Sequence, residues 1–343
     1  MSRWHAAFKH CAAQMMALCL LVLSPMQAAI AQVAEFSFAL IGDQPYNDFF
    51  EPATDQLIQS ISNDSGVQWI LHIGDIKGGA EPCTDERLER RIQQLNRSTK
   101  PLVYVPGDNE WTDCHRDSAG GFNSQERLDF LRQLAFKPVN EVTSTLGSNT
   151  FPVRQQTEHS YPEHLMWQQG STLFISLNVP GSNNDLHNPP SRKTSGSEVK
   201  RLLKQRKLAI ADWLKDAEQL FQAKHNAPTE TVITIQGNPI DGSGGQSTNP
   251  GKNGYAEFMK RIVEYINTTQ RPVLLAHGDT HRFKWDRPSL KKFGGTAATD
   301  ALFYRVESWG HPFLNVWVKV SVKPGAEVPF TVESISETAE PNN

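Results

Sequence analysis

Four Gly-Asp pairs stand in the sequence, at Gly42-Asp43, Gly74-Asp75, Gly107-Asp108 and Gly278-Asp279. Each falls at, or within two residues of, the end of a short apolar run. Glycine lets the chain turn sharply as it leaves a strand. Aspartate then projects a carboxylate beyond the strand end, the edge of an α/β sheet where ligands bind. One such pair is ordinary turn or helix-cap chemistry. Four at strand ends would gather four carboxylates, which repel one another unless cations sit between them. Hard divalent cations are the matching partners for carboxylate oxygens. The last pair continues into Thr280-His281, which adds an imidazole.

The elements that must position these residues are legible as short runs rich in Val, Ile, Leu and Phe. Strands are expected at Phe36 to Ile41, Trp69 to Ile73, Leu102 to Val105, Thr172 to Leu177, Thr231 to Ile235 and Pro272 to Ala276. Such short apolar runs suit strands buried on both faces. Phe313 to Val322 and Val328 to Ser334 alternate instead, joined by a turn at Pro324-Gly325. Helices are expected at Pro52 to Ile61, Asp85 to Leu95, Gln125 to Leu134, Ser197 to Lys224 and Tyr255 to Ile266. The basic run Lys200 to Lys207 reads as a solvated helix face. Pro180 to Ser195 and Gly237 to Gly254 read as loops. The pattern is α/β, with one core and an all-β tail.

Composition limits the function classes. With 34 basic and 37 acidic residues the net charge is -3, which argues against nucleic acid held on a basic face. The chain is 38% hydrophobic and 21% charged, as a folded domain is, and not as a disordered chain is. Gly-x-Ser-x-Gly and Gly-x-x-x-x-Gly-Lys are both absent, which disfavours a serine hydrolase and a P-loop enzyme. Residues 1–31 read as a secretory signal peptide. Arg3 and Lys9 come first, then an apolar run from Met15 to Met26 too short to span a bilayer, then Ala29-Ile30-Ala31. Residues 32–343 are then one domain, secreted or periplasmic, with no later membrane span. Cys11 and Cys19 leave with the leader. Cys83 and Cys114 remain as a pair in an oxidising compartment, where one disulfide is expected.

At these positions the chain resembles the calcineurin-like metallophosphoesterases. Their pattern runs Asp-x-His, Gly-Asp, Gly-Asn-His-Glu/Asp, a His after a strand, and Gly-His-x-His. The matching segments are Asp43-Gln44-Pro45, Gly74-Asp75, Gly107-Asp108-Asn109-Glu110, Gln236 within Ile235-Gln236-Gly237-Asn238-Pro239, and Gly278-Asp279-Thr280-His281. Gly107 to Cys114 and His277 to His281 are also similar to a secreted bacterial subgroup. The resemblance implies an αββα sandwich of two mixed sheets flanked by helices. It also implies a two-metal site and hydrolysis of phosphate esters by a metal-activated water. Asp75 would bridge the metals, Asp43 and His281 would hold one, and Asp108, Gln236 and Asp279 the other.

The departures from that pattern carry information too. Pro45 stands where a ligand His is expected, and Asn109 where the catalytic His is, so neither an imidazole ligand nor a proton donor is present there. His277 is then a candidate for the missing acid, with a structural role as the alternative. His72 reads as a core histidine. Lys77 and Asn178 are candidates for contact with substrate. The ligand set is mostly oxygen, which favours Mg, Mn or Ca over Zn or Fe. Two function readings follow. One is hydrolysis of a small phosphorylated substrate, a phosphomonoester or phosphodiester. The other is a degenerate relative that binds metal or a phosphorylated ligand without turnover.

Overall fold

The computed structural model describes residues 34–138, 143–186, 196–242, 247, 249 and 251–337. The chain divides into Met1–Val33 and Ala34–Asn343, and every element below belongs to the second unit. The expected signal peptide lies outside the described residues.

In chain order the strands are β1 (Phe36–Ile41), β2 (Ile70–His72), β3 (Leu102–Tyr104), β4 (Arg154–Gln156), β5 (Tyr161–Gln169) and β6 (Thr172–Ser176). Then come β7 (Glu230–Thr234), β8 (Val273–His277), β9 (Lys284–Asp286), β10 (Phe303–Glu307), β11 (Val316–Val322) and β12 (Phe330–Ser336). They form two mixed sheets, ordered β12-β11-β1-β2-β3 and β4-β5-β6-β7-β8-β10-β9. In the first, β1, β2 and β3 run parallel while β11 pairs antiparallel with β1. In the second, β6, β7, β8 and β10 run parallel. The long helices are α1 (Glu51–Asn63), α2 (Asp85–Leu95), α3 (Ser124–Ala135), α4 (Gly196–Leu220) and α5 (Ala256–Thr269). Side-chain caps set two of their starts: Thr84 accepts from the Arg87 amide, and Asn123 from the Glu126 amide.

Two apolar clusters hold the layers, where one core was expected. Alternate residues of β8 divide between them. Leu274 and Ala276 join the cluster shared by both sheets and α1 to α3, which includes Phe38, Leu57, Leu88, Leu128 and Phe174. Val273 and Leu275 face the other way, onto Trp213 and Leu214 of α4 and Met259 and Ile262 of α5. The result is an αββα sandwich. The expected all-β tail is not separate: β11 and β12 extend the first sheet beside β1. Four strands were not expected at all, β4, β5, β9 and β10. No helix among the described residues is long and apolar enough to cross a membrane.

Candidate metal centre

β1, β2 and β3 are parallel neighbours, so the loops that follow them leave one edge of the first sheet together. Two backbone features draw these loops close. The Asp43 amide donates to Gly74 O at 2.9 Å. Gly74 itself holds φ +83°, and a Cβ there would run into the backbone of Gly107. β8 adds its own loop, whose Asp279 amide donates to Asp43 Oδ1 at 3.1 Å. Asp43, Asp75, Asp279 and His281 all adopt left-handed backbone, with φ of 55°, 55°, 79° and 59°. Such backbone costs a non-glycine residue about 1–3 kcal/mol and persists where the surrounding structure imposes it, often at functional sites.

These loops bring Asp43, Asp75 and His281 together, each offering a donor atom within 4.8 Å of the other two. His281 Nε2 lies 3.6 Å from Asp43 Oδ1. A second acidic group stands around Gly181. A Cβ on that residue would lie 2.6 Å from Asp108 Oδ1 and 2.5 Å from Asp279 Oδ1, so glycine is what lets the two carboxylates share the space. Asp108 Oδ1 is buried without a partner. Its other oxygen accepts from Ser182 Oγ at 2.7 Å.

The carboxylates behave as a cluster of like charges. Burial, and then repulsion from one another, pushes Asp43, Asp75 and Asp279 well above the usual carboxylate range. An acidic cluster so poor in countercharge, with an orphaned oxygen aimed into it, fits a cation. Asp43, Asp75 and His281 each offer it a donor atom.

The remaining candidate residues have other partners. Gln236 accepts the Gly181 amide with its side-chain oxygen. A backbone N–H can only donate, so this fixes the amide's orientation and leaves a buried NH₂ as its free end. The oxygen keeps a second lone pair beyond this contact. Asn109 donates its amide to Asp75 Oδ1 at 3.1 Å and its side-chain nitrogen to Asp75 Oδ2 at 2.8 Å, so it clamps a carboxylate. His277 lies on the α4/α5 side of β8, by the alternation that places Leu275 there. Burial pushes it down to about 3, and its charged neighbours are Arg305, Asp241 and Lys284. It is a neutral interior histidine, away from the place the missing acid would occupy. Asn178 donates to Glu163 Oε1 at 2.9 Å, inside the buried Glu163–Arg132 pair. Lys77 is wholly buried and donates to Gly78 O at 3.0 Å. It stands as countercharge to Glu110 and Asp75, and burial lowers it to about 8. His72 is a buried core histidine, as expected. Cys83 and Cys114 are joined, with Cα atoms 5.7 Å apart, and the bridge ties the loop before α2 to the loop after Asp108.

Four residues were not singled out from sequence. Tyr46 Oη lies 2.9 Å from Asp75 Oδ2 and 2.8 Å from His281 Nε2. Ser182 and Asp113 flank Asp108, with Ser182 Oγ 2.9 Å from Asp113 Oδ1. Glu307, at the end of β10, accepts from the Thr280 amide at 3.2 Å and from Asn238 Nδ2 at 3.1 Å, and so holds the loop that carries Asp279 and His281. Of these, Tyr46, next to the proline in the first motif, and Asp113, within Gly107 to Cys114, had a signal in the sequence.

Glu110 holds two of the loops from beneath. Its Oε1 accepts the Asp75 amide at 3.0 Å, the Gly107 amide at 2.6 Å and Tyr104 Oη at 2.8 Å. Burial nevertheless pushes it up to about 7 from 4.5. The folded protein therefore keeps a proton that the unfolded chain releases. Its stabilising contribution is full below pH 4.5 and falls as pH rises toward 7. Glu110→Gln lacks this loss. In urea unfolding of chelator-treated protein at pH 5 and pH 8, the variant should gain on the wild type as pH rises, by at most about 1.4 kcal/mol per pH unit. A wild-type-minus-variant difference that does not move with pH would show that Glu110 is ionised throughout.

Curated protein sequences give no match. Among solved structures, GAP50, the anchor in the inner membrane complex of Plasmodium, is similar at 10% identity and a TM-score of 0.48, over 88% of this chain and 84% of that one. The Haemophilus influenzae NAD nucleotidase NadN is similar at 12% identity and a TM-score of 0.43, over 88% of this chain and 49% of that one. The present chain thus spans about half of that nucleotidase. The sequence model of the calcineurin-like phosphoesterases matches residues 36–283. That stretch runs from the first residue of β1 to just past His281 and takes in all four Gly-Asp loops, so the chain belongs to the calcineurin-like phosphoesterase family.

Proposed function

We propose that the chain is a metal-dependent phosphoric ester hydrolase with a carboxylate-rich pair of cation sites. The observation that carries this reading is the convergence of Asp43, Asp75 and His281 from three strand-end loops. Asp75 is repelled by Asp108, Glu110 and Asp43, and of the carboxylates it is the one that would be shared between two cations. Bound divalent cations would supply Lewis acidity toward a phosphoryl oxygen and acidify a water for attack. Oxygen donors dominate, which favours Mg, Mn or Ca.

The protein's own residues do the positioning. Asn109 and the Glu110-anchored amides of Asp75 and Gly107 fix the Asp75 carboxylate. His311 O fixes the His281 ring through Nδ1 at 2.8 Å. Glu307 fixes the Asp279 loop through Thr280. The substrate is a small phosphomonoester or phosphodiester. The Cys83–Cys114 bridge fits an oxidising compartment, in keeping with a secretory leader.

The test is turnover of generic phosphomonoesters and phosphodiesters by chelator-treated protein resupplied with Mg²⁺, Mn²⁺, Ca²⁺ or Zn²⁺, beside metal analysis of the protein as purified. Metal-dependent hydrolysis is expected. Its absence with every ester and every metal would reject the hydrolase reading.

A further inference from the structure

The basic run Lys200 to Lys207 borders a groove that the metal centre does not use. It lies between α4 and α5, which cover the outer face of the second sheet. Leu186, Leu203, Ile210 and Phe258 line it, and its volume is about 700 Å³. Sites for small ligands run from about 300 to 1,000 Å³ and are mostly apolar with a few polar groups. Leu208, 53% exposed, stands at its lip.

The charges around the groove do not balance. Lys200, Lys204 and Lys207 come from α4, and Lys260 and Arg261 from α5. Two acids share the rim, Glu257 and Glu264, and both are taken. Lys207 Nζ lies 3.0 Å from Glu257 Oε2. Arg261 meets Glu264 at 3.0 Å and Glu218 at 2.8 Å. Lys200, Lys204 and Lys260 form no ion pair among the described residues, so three positive charges border an apolar floor without an answer. Lys200 and Lys204 are four apart on one helix, where like charges repel. The whole chain carries a net charge of -3, so this excess is local. Residues 187–195, which join Leu186 to α4, carry Arg192 and Lys193 and no acid, so their chemistry does not supply the countercharge.

We propose that the groove between α4 and α5 binds a long-chain amphiphile with an anionic head, such as a fatty acid anion. The chain lies on the apolar floor, and the head meets the three unpaired lysines, whose stems add apolar surface along it. The volume is that of one small molecule, which argues for a free amphiphile over a bilayer surface or the helix of a partner. The site goes beyond the metal centre and stands whether or not the chain hydrolyses esters.

The test is calorimetry of octanoate, decanoate and dodecanoate below their micelle-forming concentrations. It uses the full mature chain in chelator, so that no carboxylate reaches a bound metal. Dodecanoate should bind at one equivalent, and affinity should fall by about fourfold for each methylene removed. Lys204→Glu combined with Lys260→Glu should weaken dodecanoate by at least about two- to fivefold for each lysine. Dodecanol, which has no charge, should bind the wild type and that variant alike. Ala211→Trp, which fills the groove, should abolish binding. Affinity that ignores chain length marks ion attraction alone, and affinity that ignores both lysines marks apolar adsorption elsewhere. Either overturns the inference, as does a wild type that binds no dodecanoate. Sedimentation of the wild type with phosphatidylglycerol vesicles, without binding of dodecanoate at one equivalent, assigns the surface to a membrane instead. If Ala211→Trp does not fold, as judged by its melt, the chain-length series and the lysine variant decide.

Discussion

Asp75→Asn is expected to abolish both metal binding and turnover while making the metal-free protein more stable at neutral pH. The two halves of this result have one cause. Asp75 is buried, and burial with the repulsion of Asp108, Glu110 and Asp43 holds its carboxyl well above the usual range. Without a cation, ionising Asp75 works against the fold by about 1.4 kcal/mol for each unit by which its pKa is raised. Asparagine removes that charge and keeps an oxygen to accept from the Asn109 amide. The same change removes a carboxylate of the Asp43, Asp75 and His281 cluster. A residue whose role was only structural would show the reverse, with a lower melting temperature and activity lost in proportion to unfolding. Melting of the chelator-treated proteins at pH 7.5, beside Mn²⁺ calorimetry and ester hydrolysis, separates the cases. If binding is lost in Asp75→Asn and the wild type binds Mn²⁺ without turning over any ester, the chain is a binding relative of the family and not a hydrolase. Retained binding in the variant removes Asp75 from the site. The trade of stability for function is what a charged site built into a buried crevice should show.

The site was legible in the sequence because its carboxylates follow strand ends. Glycine before aspartate marks both the turn and the donor, and the spacing of such pairs survives in one dimension. Asp43, Asp75, Asp108 and Asp279 therefore come together as their positions implied. Residues whose roles depend on packing were not legible. Gln236 spends one lone pair of its side-chain oxygen on the Gly181 amide, and nothing at Gln236 announces that. His277 stands four residues before His281, but strand alternation sends it to the opposite face. Asn178 follows a strand as the ligands do, yet a buried Glu163–Arg132 pair one strand away claims it. Ser182 reaches Asp108 only because Ser182 to Asp185 hold four consecutive left-handed residues, with φ between 48° and 62°. Local sequence gives little warning of such a turn in residues other than glycine.

The fold divides along the same line. Strands buried on both faces, such as β1 and β6, are continuous apolar runs and were found within a residue or so. β5 carries Pro162, Glu163 and His164, and β10 carries Arg305 and Glu307, which break the apolar pattern. Their charges are paired within the structure. Arg132 meets Glu163, and Arg305 donates Nε to Asp286 Oδ1 at 2.8 Å. Buried polar residues in strands are tolerated when such partners exist, and partners distant in sequence cannot be read from the strand alone.

The nature of the leaving group should govern the rate of hydrolysis more strongly than in a phosphoesterase equipped with a proton donor. Asn109 has no acidic proton to give, and its side-chain nitrogen is committed to Asp75 Oδ2 at 2.8 Å. His277 is buried, neutral and on the other face of β8. Lys77 is buried against Glu110 and Asp75. No described side chain of this candidate set is both acidic and free to reach a departing alkoxide. General acid catalysis is typically worth about 10²–10⁴-fold. Aryl phosphates with acidic leaving groups do not need it, whereas alkyl phosphates do. An aryl-to-alkyl rate ratio is therefore expected to exceed that of an enzyme with the donor by about that factor. Asn109→His should not simply restore alkyl ester hydrolysis. The imidazole would supply a proton donor but would take away the amide that holds Asp75 Oδ2, so any recovery on alkyl esters should come with weaker Mn²⁺ binding. The decisive measurement is kcat/KM for a series of aryl and alkyl phosphates plotted against leaving-group pKa, in the wild type and Asn109→His. A shallow wild-type slope would show that some group does protonate the leaving oxygen. A slope that flattens in Asn109→His while Mn²⁺ affinity falls would show that position 109 can either hold Asp75 or donate a proton, and that this chain uses it for the first.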